Sequence, residues 1–110
     1  MTAPEKVMLI VHPQRPVALE LAAQCAQGLL ARGIKVVAPE EAPDGLDVPR
    51  TDVSEPIDLV VVFGGDGSIL RGSEVARAHD VPLLGINLGH VGFLAELDEE
   101  EANGIVDHIV

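Results

Sequence analysis

The chain of 110 residues has little cysteine and few aromatic residues, with one Cys, two Phe and no Trp or Tyr. The single cysteine, Cys25, cannot form an internal disulfide, which excludes a small secreted domain held by disulfides. No run approaches the roughly 20 apolar residues that span a membrane. The N-terminus does not resemble a signal peptide, because Glu5 and then strand-like residues follow almost at once. These absences favour a cytoplasmic protein.

Basic residues are also scarce, with 7 Lys and Arg against 18 Asp and Glu and a net charge of −11. This balance argues against nucleic acid or an anionic membrane as a partner. Much of the acid lies in residues 40–58 and 96–101, away from the glycine-rich segments. A nucleotide can still bind locally, because backbone N–H groups at a helix N-terminus hold phosphate without a net positive charge.

Hydrophobic residues make up 47% of the chain, and most of them are aliphatic. Four apolar runs, at 7–11, 34–38, 58–63 and 82–87, predict the buried strands of a parallel sheet. A helix is expected after Pro16, with Gly33 placed to end it in a left-handed conformation. We expect one face of this helix to be buried, the one that carries Ala18, Leu21, Cys25 and Leu29.

Residues 39–56 carry four prolines and several acids, which predicts an exposed connector. The order of strands and helices predicts an open parallel α/β sheet with helices on both faces, as one domain over residues 1–110. Asp98 and Glu101 resemble a capping box, so a last helix is expected through Ile105, Val106 and Ile109. No stop signal precedes Val110, and we therefore expect a domain cut within a helix of a longer protein.

The segment Gly64-Gly65-Asp66-Gly67-Ser68 follows the clearest strand. Its glycines let the backbone approach a ligand closely, and Ser68 is expected to cap a helix that runs to about Ala78. The N–H groups of that helix fit phosphate. Asp66 would repel a phosphate, and is explained if it accepts a proton from an attacking hydroxyl or holds a metal ion.

Two common nucleotide-binding motifs fail at this position. The dinucleotide fingerprint needs glycine where Leu70 stands, and the P-loop of NTPases needs lysine where Ser73 stands. A tight strand-to-helix turn without a ligand remains the alternative.

A second glycine-bearing loop contains Gly89, Gly92 and Phe93. Phe93 would pack either against an adenine ring or against the sheet as a core residue, and His90 has at most a role in shaping the loop. His12, after the first strand, either faces the ligand crevice or simply ends the strand. The other two histidines, His79 and His108, are expected at the surface. No His, Cys and carboxylate set has the spacing of a zinc site.

Residues 60–71, followed by residues 82–94, resemble the NAD kinase family closely, and the similarity extends over 58–97. The first loop alone is shared with phosphofructokinases and with diacylglycerol and sphingosine kinases. The resemblance implies a Rossmann-like N-terminal domain. It also implies transfer of a phosphoryl group from ATP, or from polyphosphate, to the adenosine 2′-hydroxyl of NAD, which gives NADP.

The resemblance also implies roles for individual residues. Asp66 would accept the proton of that hydroxyl, Gly67 and Arg71 would touch the dinucleotide, and Phe93 would lie near its adenosine part. Arg71, expected in the first turn of its helix, is unfavourable to the helix dipole unless a phosphate lies nearby; otherwise it is an ordinary surface residue. A divalent cation, Mg²⁺, is expected on the donor phosphates, because no carboxylate cluster is evident at the glycine-rich segments beyond Asp66.

Two departures from the family pattern limit the prediction. Ser68 stands where many relatives have threonine, which keeps the hydroxyl. A later motif, with an Asn followed by an acidic residue, and a β-rich C-terminal domain are absent from the 110 residues. We therefore expect little activity from these residues alone. The resemblance also implies that the full-length protein is a homo-oligomer. A related kinase with a sugar-phosphate or lipid acceptor, and a nucleotide-binding module without turnover, remain the alternatives.

Overall fold

The computed structural model describes residues 4–52, 54–88, 104–107 and 109. Residues 104–107 and 109 are helical. No helix in these ranges is both long and apolar enough to span a bilayer. The other elements, in chain order, are β1 (Lys6–Val11), α1 (Pro16–Ala31), β2 (Lys35–Pro39), β3 (Arg50–Thr51), β4 (Leu59–Gly64), α2 (Asp66–His79) and β5 (Leu83–Asn87).

The strands form one sheet in the order β3-β2-β1-β4-β5, and every pair is parallel. Alternate residues of β1 enter different cores, because successive side chains of a strand point to opposite faces. Val7 and Leu9 pack in the core that contains the buried residues of α1, whereas Met8 and Ile10 pack in the core that contains those of α2. The predicted open parallel sheet with helices on both faces is confirmed.

Helix α1 has the start, the end and the buried face that its sequence predicts. Pro16 is its first residue, a position where the missing N–H costs nothing. At its end, Gly33 has a φ of 79°, and the N–H of Ile34 donates to the carbonyl of Leu29 at 3.0 Å. This is a Schellman ending, which satisfies carbonyls of the last turn. The predicted buried residues are all in the core: Ala18, Leu21, Cys25 and Leu29.

The C-terminal helical residues lie against α1. A Cβ added at Gly28 would lie 2.9 Å from Cγ2 of Val106, a side chain only 1% exposed. The backbone of α1 therefore approaches this segment closely because position 28 has no side chain. The helix predicted through Ile105, Val106 and Ile109 is present at those residues, and its predicted start at residues 98–101 lies outside the described part of the chain.

The prediction that residues 39–56 form only an exposed connector is wrong. Leu46 and Val48 are 3% and 9% exposed and belong to the core that contains α1, and strand β3 extends the sheet. The Arg50 guanidinium organises this segment by donating to backbone carbonyls. Its acceptors are the carbonyls of Pro43, Leu46 and Val48. A two-residue strand has no periodicity to detect, and the arginine contacts appear only after folding.

Burial in α1 makes the Cys25 thiol unreactive. Loss of solvation raises its pKa from 9.0 to about 12, so at pH 8 only about one thiol in 10⁴ is the reactive thiolate. We expect a disulfide reagent such as Ellman's reagent to label the native chain negligibly, and to label one thiol per chain after unfolding in guanidinium chloride. Complete labelling in native buffer within minutes would contradict the packing of α1.

Candidate functional site

The strand order changes direction between β1 and β4. From β1 the chain proceeds outward to β2 and β3, then returns to build β4 and β5 on the other side of β1. The loops that follow β1 and β4 therefore separate at the carboxyl ends of these strands, where open α/β sheets bind ligands. A crevice of about 460 Å³ lies there. Among the residues that line it are His12, Arg15, Glu41, Gly65, Asp66, Gly67, Ser68 and Arg71.

The glycine-rich segment of residues 64–68, called the glycine loop below, joins β4 to α2 with one residue between them. Gly64 ends β4, Gly65 is the N-cap, and Asp66 is the first residue of α2, where an acidic side chain is favourable to the helix dipole. The N–H of Ile69 donates to the Gly65 carbonyl at 3.0 Å, which closes the first helical turn. The prediction that Ser68 caps this helix is wrong, because the helix begins two residues before it and makes no side-chain cap hydrogen bond.

The glycines of the loop serve two different purposes. A Cβ at Gly64 would lie 2.6 Å from Ser68 Oγ and 3.1 Å from His12 Cβ, so packing alone requires glycine there. A Cβ at Gly65 or Gly67 would meet no atom within 4 Å, and neither residue has a positive φ. The fold therefore does not require these two glycines. Their absent side chains leave the backbone at the start of α2 open to the crevice, which favours a ligand over an empty turn.

Asp66 is exposed in the crevice and is held by a residue that the sequence analysis did not assign to the site. The side-chain amide of Asn87 donates to Asp66 Oδ1 at 3.2 Å. Asn87 ends β5 and lies in register with Gly64 at the end of β4. The sequence placed Asn87 at the end of a predicted strand, but its contact with Asp66 depends on the pairing of β5 beside β4.

The chain leaves β5 next to the glycine loop. The N–H of Leu88 donates to the Gly64 carbonyl at 2.8 Å, and the Leu88 carbonyl accepts a hydrogen bond from Arg15 Nη1 at 3.0 Å. Leu88, the last described residue before the second glycine loop, thus lies beside Gly64 and Arg15. Residues His90 and Phe93 of that loop lie outside the described part of the chain, so the role of Phe93 stays a prediction.

Arg71 lines the crevice and lies in the second turn of α2. The prediction that it lies in the first turn is therefore wrong, and the argument that its charge is unfavourable to the helix dipole does not apply. Arg71 forms an ion pair with Glu41, which follows β2, and both side chains are about half exposed. Such a pair contributes only about 0–1 kcal/mol. The guanidinium is therefore available to an anionic ligand at little cost.

His12 lines the crevice, as one of its two predicted placements required, whereas His79 ends α2 and does not line it. The N–H of Gln14 donates to His12 Nδ1 at 3.0 Å. Within the described ranges, no three His, Cys, Asp or Glu side chains lie together as a metal-binding group.

Comparisons with known proteins show the family of the chain. The family model described as the ATP-NAD kinase N-terminal domain matches residues 44–110. The chain is 41% identical to NAD kinase 2 of Streptomyces avermitilis, over 99% of this chain and 39% of the relative. It is 38% identical to an NAD kinase of Thermobifida fusca, over 99% of this chain and 37% of the relative. It is 34% identical to an NAD kinase of Mycobacterium bovis, over 100% of this chain and 42% of the relative. The chain spans about two-fifths of the length of these relatives, and it belongs to the NAD kinase family.

Proposed function

We propose that the full-length protein transfers a phosphoryl group from ATP or polyphosphate to the adenosine 2′-hydroxyl of NAD, and so forms NADP. The observation that carries the proposal is the exposed carboxylate of Asp66 at the start of α2, between two glycines that the fold itself does not require. A carboxylate at this point would accept a proton beside backbone N–H groups suited to phosphate, which supports the proposal. The names of the relatives support NAD as the acceptor.

In the proposed reaction, the 2′-hydroxyl oxygen attacks the terminal phosphorus of the donor while its proton passes to Asp66. The bond from that phosphorus to the bridging oxygen breaks, and the shortened donor leaves with the bonding electrons. Asn87 orients the carboxylate through Oδ1. Asp66 later returns the proton to solvent, which its exposure in the crevice permits.

A divalent cation, which we propose to be Mg²⁺, would neutralise charge on the phosphates during the transfer. An exposed carboxylate at the start of α2 fits a cation bound chiefly through phosphate oxygens. Asp66 is the carboxylate at the start of α2 that would contact such an ion, whereas Glu41 is paired with Arg71. We also propose a cytoplasmic homo-oligomer for the full-length protein, and little turnover by residues 1–110 alone.

Acceptor choice tests the proposal. Full-length protein with Mg²⁺ would be given ATP or polyphosphate, and either NAD or diacylglycerol as the acceptor. We expect NADP, detected by an NADP-specific dehydrogenase, and no phosphatidic acid. Phosphorylation of diacylglycerol instead of NAD would identify a lipid kinase, and NAD binding without turnover would identify a binding module; either result would overturn the proposal.

Arg71 gives a prediction about binding. Removing its charge with Arg71→Ala should raise the KM for NAD about tenfold with kcat nearly unchanged, because a charge-assisted hydrogen bond contributes about 1.5–3 kcal/mol and solvent screens part of it at this exposed site. The matched control is Arg77→Ala, on the same helix but outside the crevice, and it should change neither constant. Steady-state kinetics would contradict the assignment if both variants behaved alike.

A further inference from the structure

The backbone fixes where the Arg15 side chain begins. Arg15 is the N-cap of α1, with φ −118° and ψ 104°, and Pro16 follows it. Proline disfavours a helical conformation in the residue before it, so Arg15 is held extended at the end of the β1–α1 loop. Although its side chain makes no cap hydrogen bond to α1, it lines the crevice.

The guanidinium of Arg15 contacts the residue that follows β5. Its Nη1 donates at 3.0 Å to the carbonyl of Leu88, a residue only 3% exposed. The N–H of the same residue donates to the Gly64 carbonyl at 2.8 Å. Leu88 is thus held from both sides, by the glycine loop and by the arginine.

The next residue back along the chain is Asn87, whose amide contacts Asp66 at 3.2 Å. This distance is at the long end for an N–H···O hydrogen bond. A small shift at the end of β5 would therefore break it. Strand β5 is at an edge of the described sheet, and its side chains are only partly buried.

We propose that Arg15 is a positioning residue for Asp66, acting through Leu88 and Asn87; the inference rests on the proposed function. Arg15 holds the end of β5 against the glycine loop, which keeps the Asn87 amide on Oδ1 of the carboxylate. A misplacement of about 1 Å at a reacting group can cost about 10²-fold in rate. The effect of losing Arg15 should therefore appear in kcat rather than in NAD binding.

The chain offers a matched control in Arg50. Its guanidinium also donates to backbone carbonyls, those of Pro43, Leu46 and Val48, but it does not line the crevice. Substitution of either arginine by methionine removes the donors and retains a long apolar side chain. Loss of stability should follow from both changes, and loss of kcat only from Arg15→Met.

The test uses the full-length protein with the variants Arg15→Met, Arg15→Lys and Arg50→Met. Arg15→Met should lower kcat about 10–100-fold with the KM for NAD within about threefold, and Arg15→Lys should recover part of kcat because its ammonium still donates. The double variant Arg15→Met, Asn87→Ala should lose less kcat than the losses of the two single variants combined would predict, because both residues act on one contact. Unchanged kcat, a rise in KM alone, or an equal kcat loss in Arg50→Met would overturn the inference.

A second readout does not depend on turnover. In protein labelled with ¹⁵N-asparagine, the Asn87 side-chain amide signals, identified by their loss in Asn87→Ala, should shift in Arg15→Met and stay in place in Arg50→Met. Absence of a shift in Arg15→Met would overturn the inference even in a protein that makes no NADP. Absence of NADP from the unmodified protein, with the shift present, would instead overturn the proposed function.

Discussion

Replacing Asp66 with Asn in the full-length protein should lower the rate of NADP formation about 10²–10⁴-fold, the usual contribution of a general base. Asparagine keeps the size of the side chain and cannot take the hydroxyl proton. The affinity for NAD should persist or rise slightly, because a negative charge beside the phosphates is removed. Turnover would be measured by coupled assay and binding by titration calorimetry.

The matched control for this change is Asp80→Asn at the other end of α2. Asp80 is exposed and has a φ of 54°, a conformation that asparagine adopts as readily as aspartate. This variant should retain full activity. Equal turnover by Asp66→Asn and the unmodified protein would mean that the proton acceptor is another group.

Replacing Gly72 with Ala should destabilise the chain by about 1–3 kcal/mol, a typical cost of overpacking. Gly72 is buried in α2, and an added Cβ would overlap Cγ2 of Val62 on β4 and lie 3.2 Å from Cδ1 of Leu83. In an open helix the same change would stabilise by about 1 kcal/mol. The sign of the result thus reports directly on the close approach of α2 to the sheet.

Urea unfolding would measure this free energy, with Gly104→Ala as the control. Gly104 is also helical, and its added Cβ would meet nothing within 4 Å, so the control should be neutral or stabilising. A Gly72→Ala chain as stable as the unmodified one would contradict the packing that places Asp66. In the full-length protein we also expect lower kcat, since a displaced α2 carries Asp66 with it.

The sheet and its helices could be predicted because local pattern and tertiary role coincide in them. The apolar runs of β1 and β4 are buried on both faces, as in central strands of a parallel sheet. Gly33 ends α1 for a reason confined to the backbone near that residue. The glycine loop could also be located from the sequence, because its composition is unusual without reference to the rest of the fold.

Features that depend on distant residues could not be predicted. The burial of Leu46 and Val48 depends on core contacts and on the arginine that holds their loop. The contact of Asn87 with Asp66 requires the strand order, which places the ends of β4 and β5 side by side. Ser68 was predicted as the N-cap because serine is a favoured residue there, but the helix starts earlier, at Asp66.

The most direct measurement is the crystal structure of the full-length protein with NAD bound. We expect an oxygen of Asp66 within hydrogen-bonding distance, about 2.6–3.2 Å, of the adenosine 2′-hydroxyl, with the dinucleotide in the crevice between the loops that follow β1 and β4. A dinucleotide bound elsewhere, or one whose adenosine ribose faces away from Asp66, would contradict the proposed function.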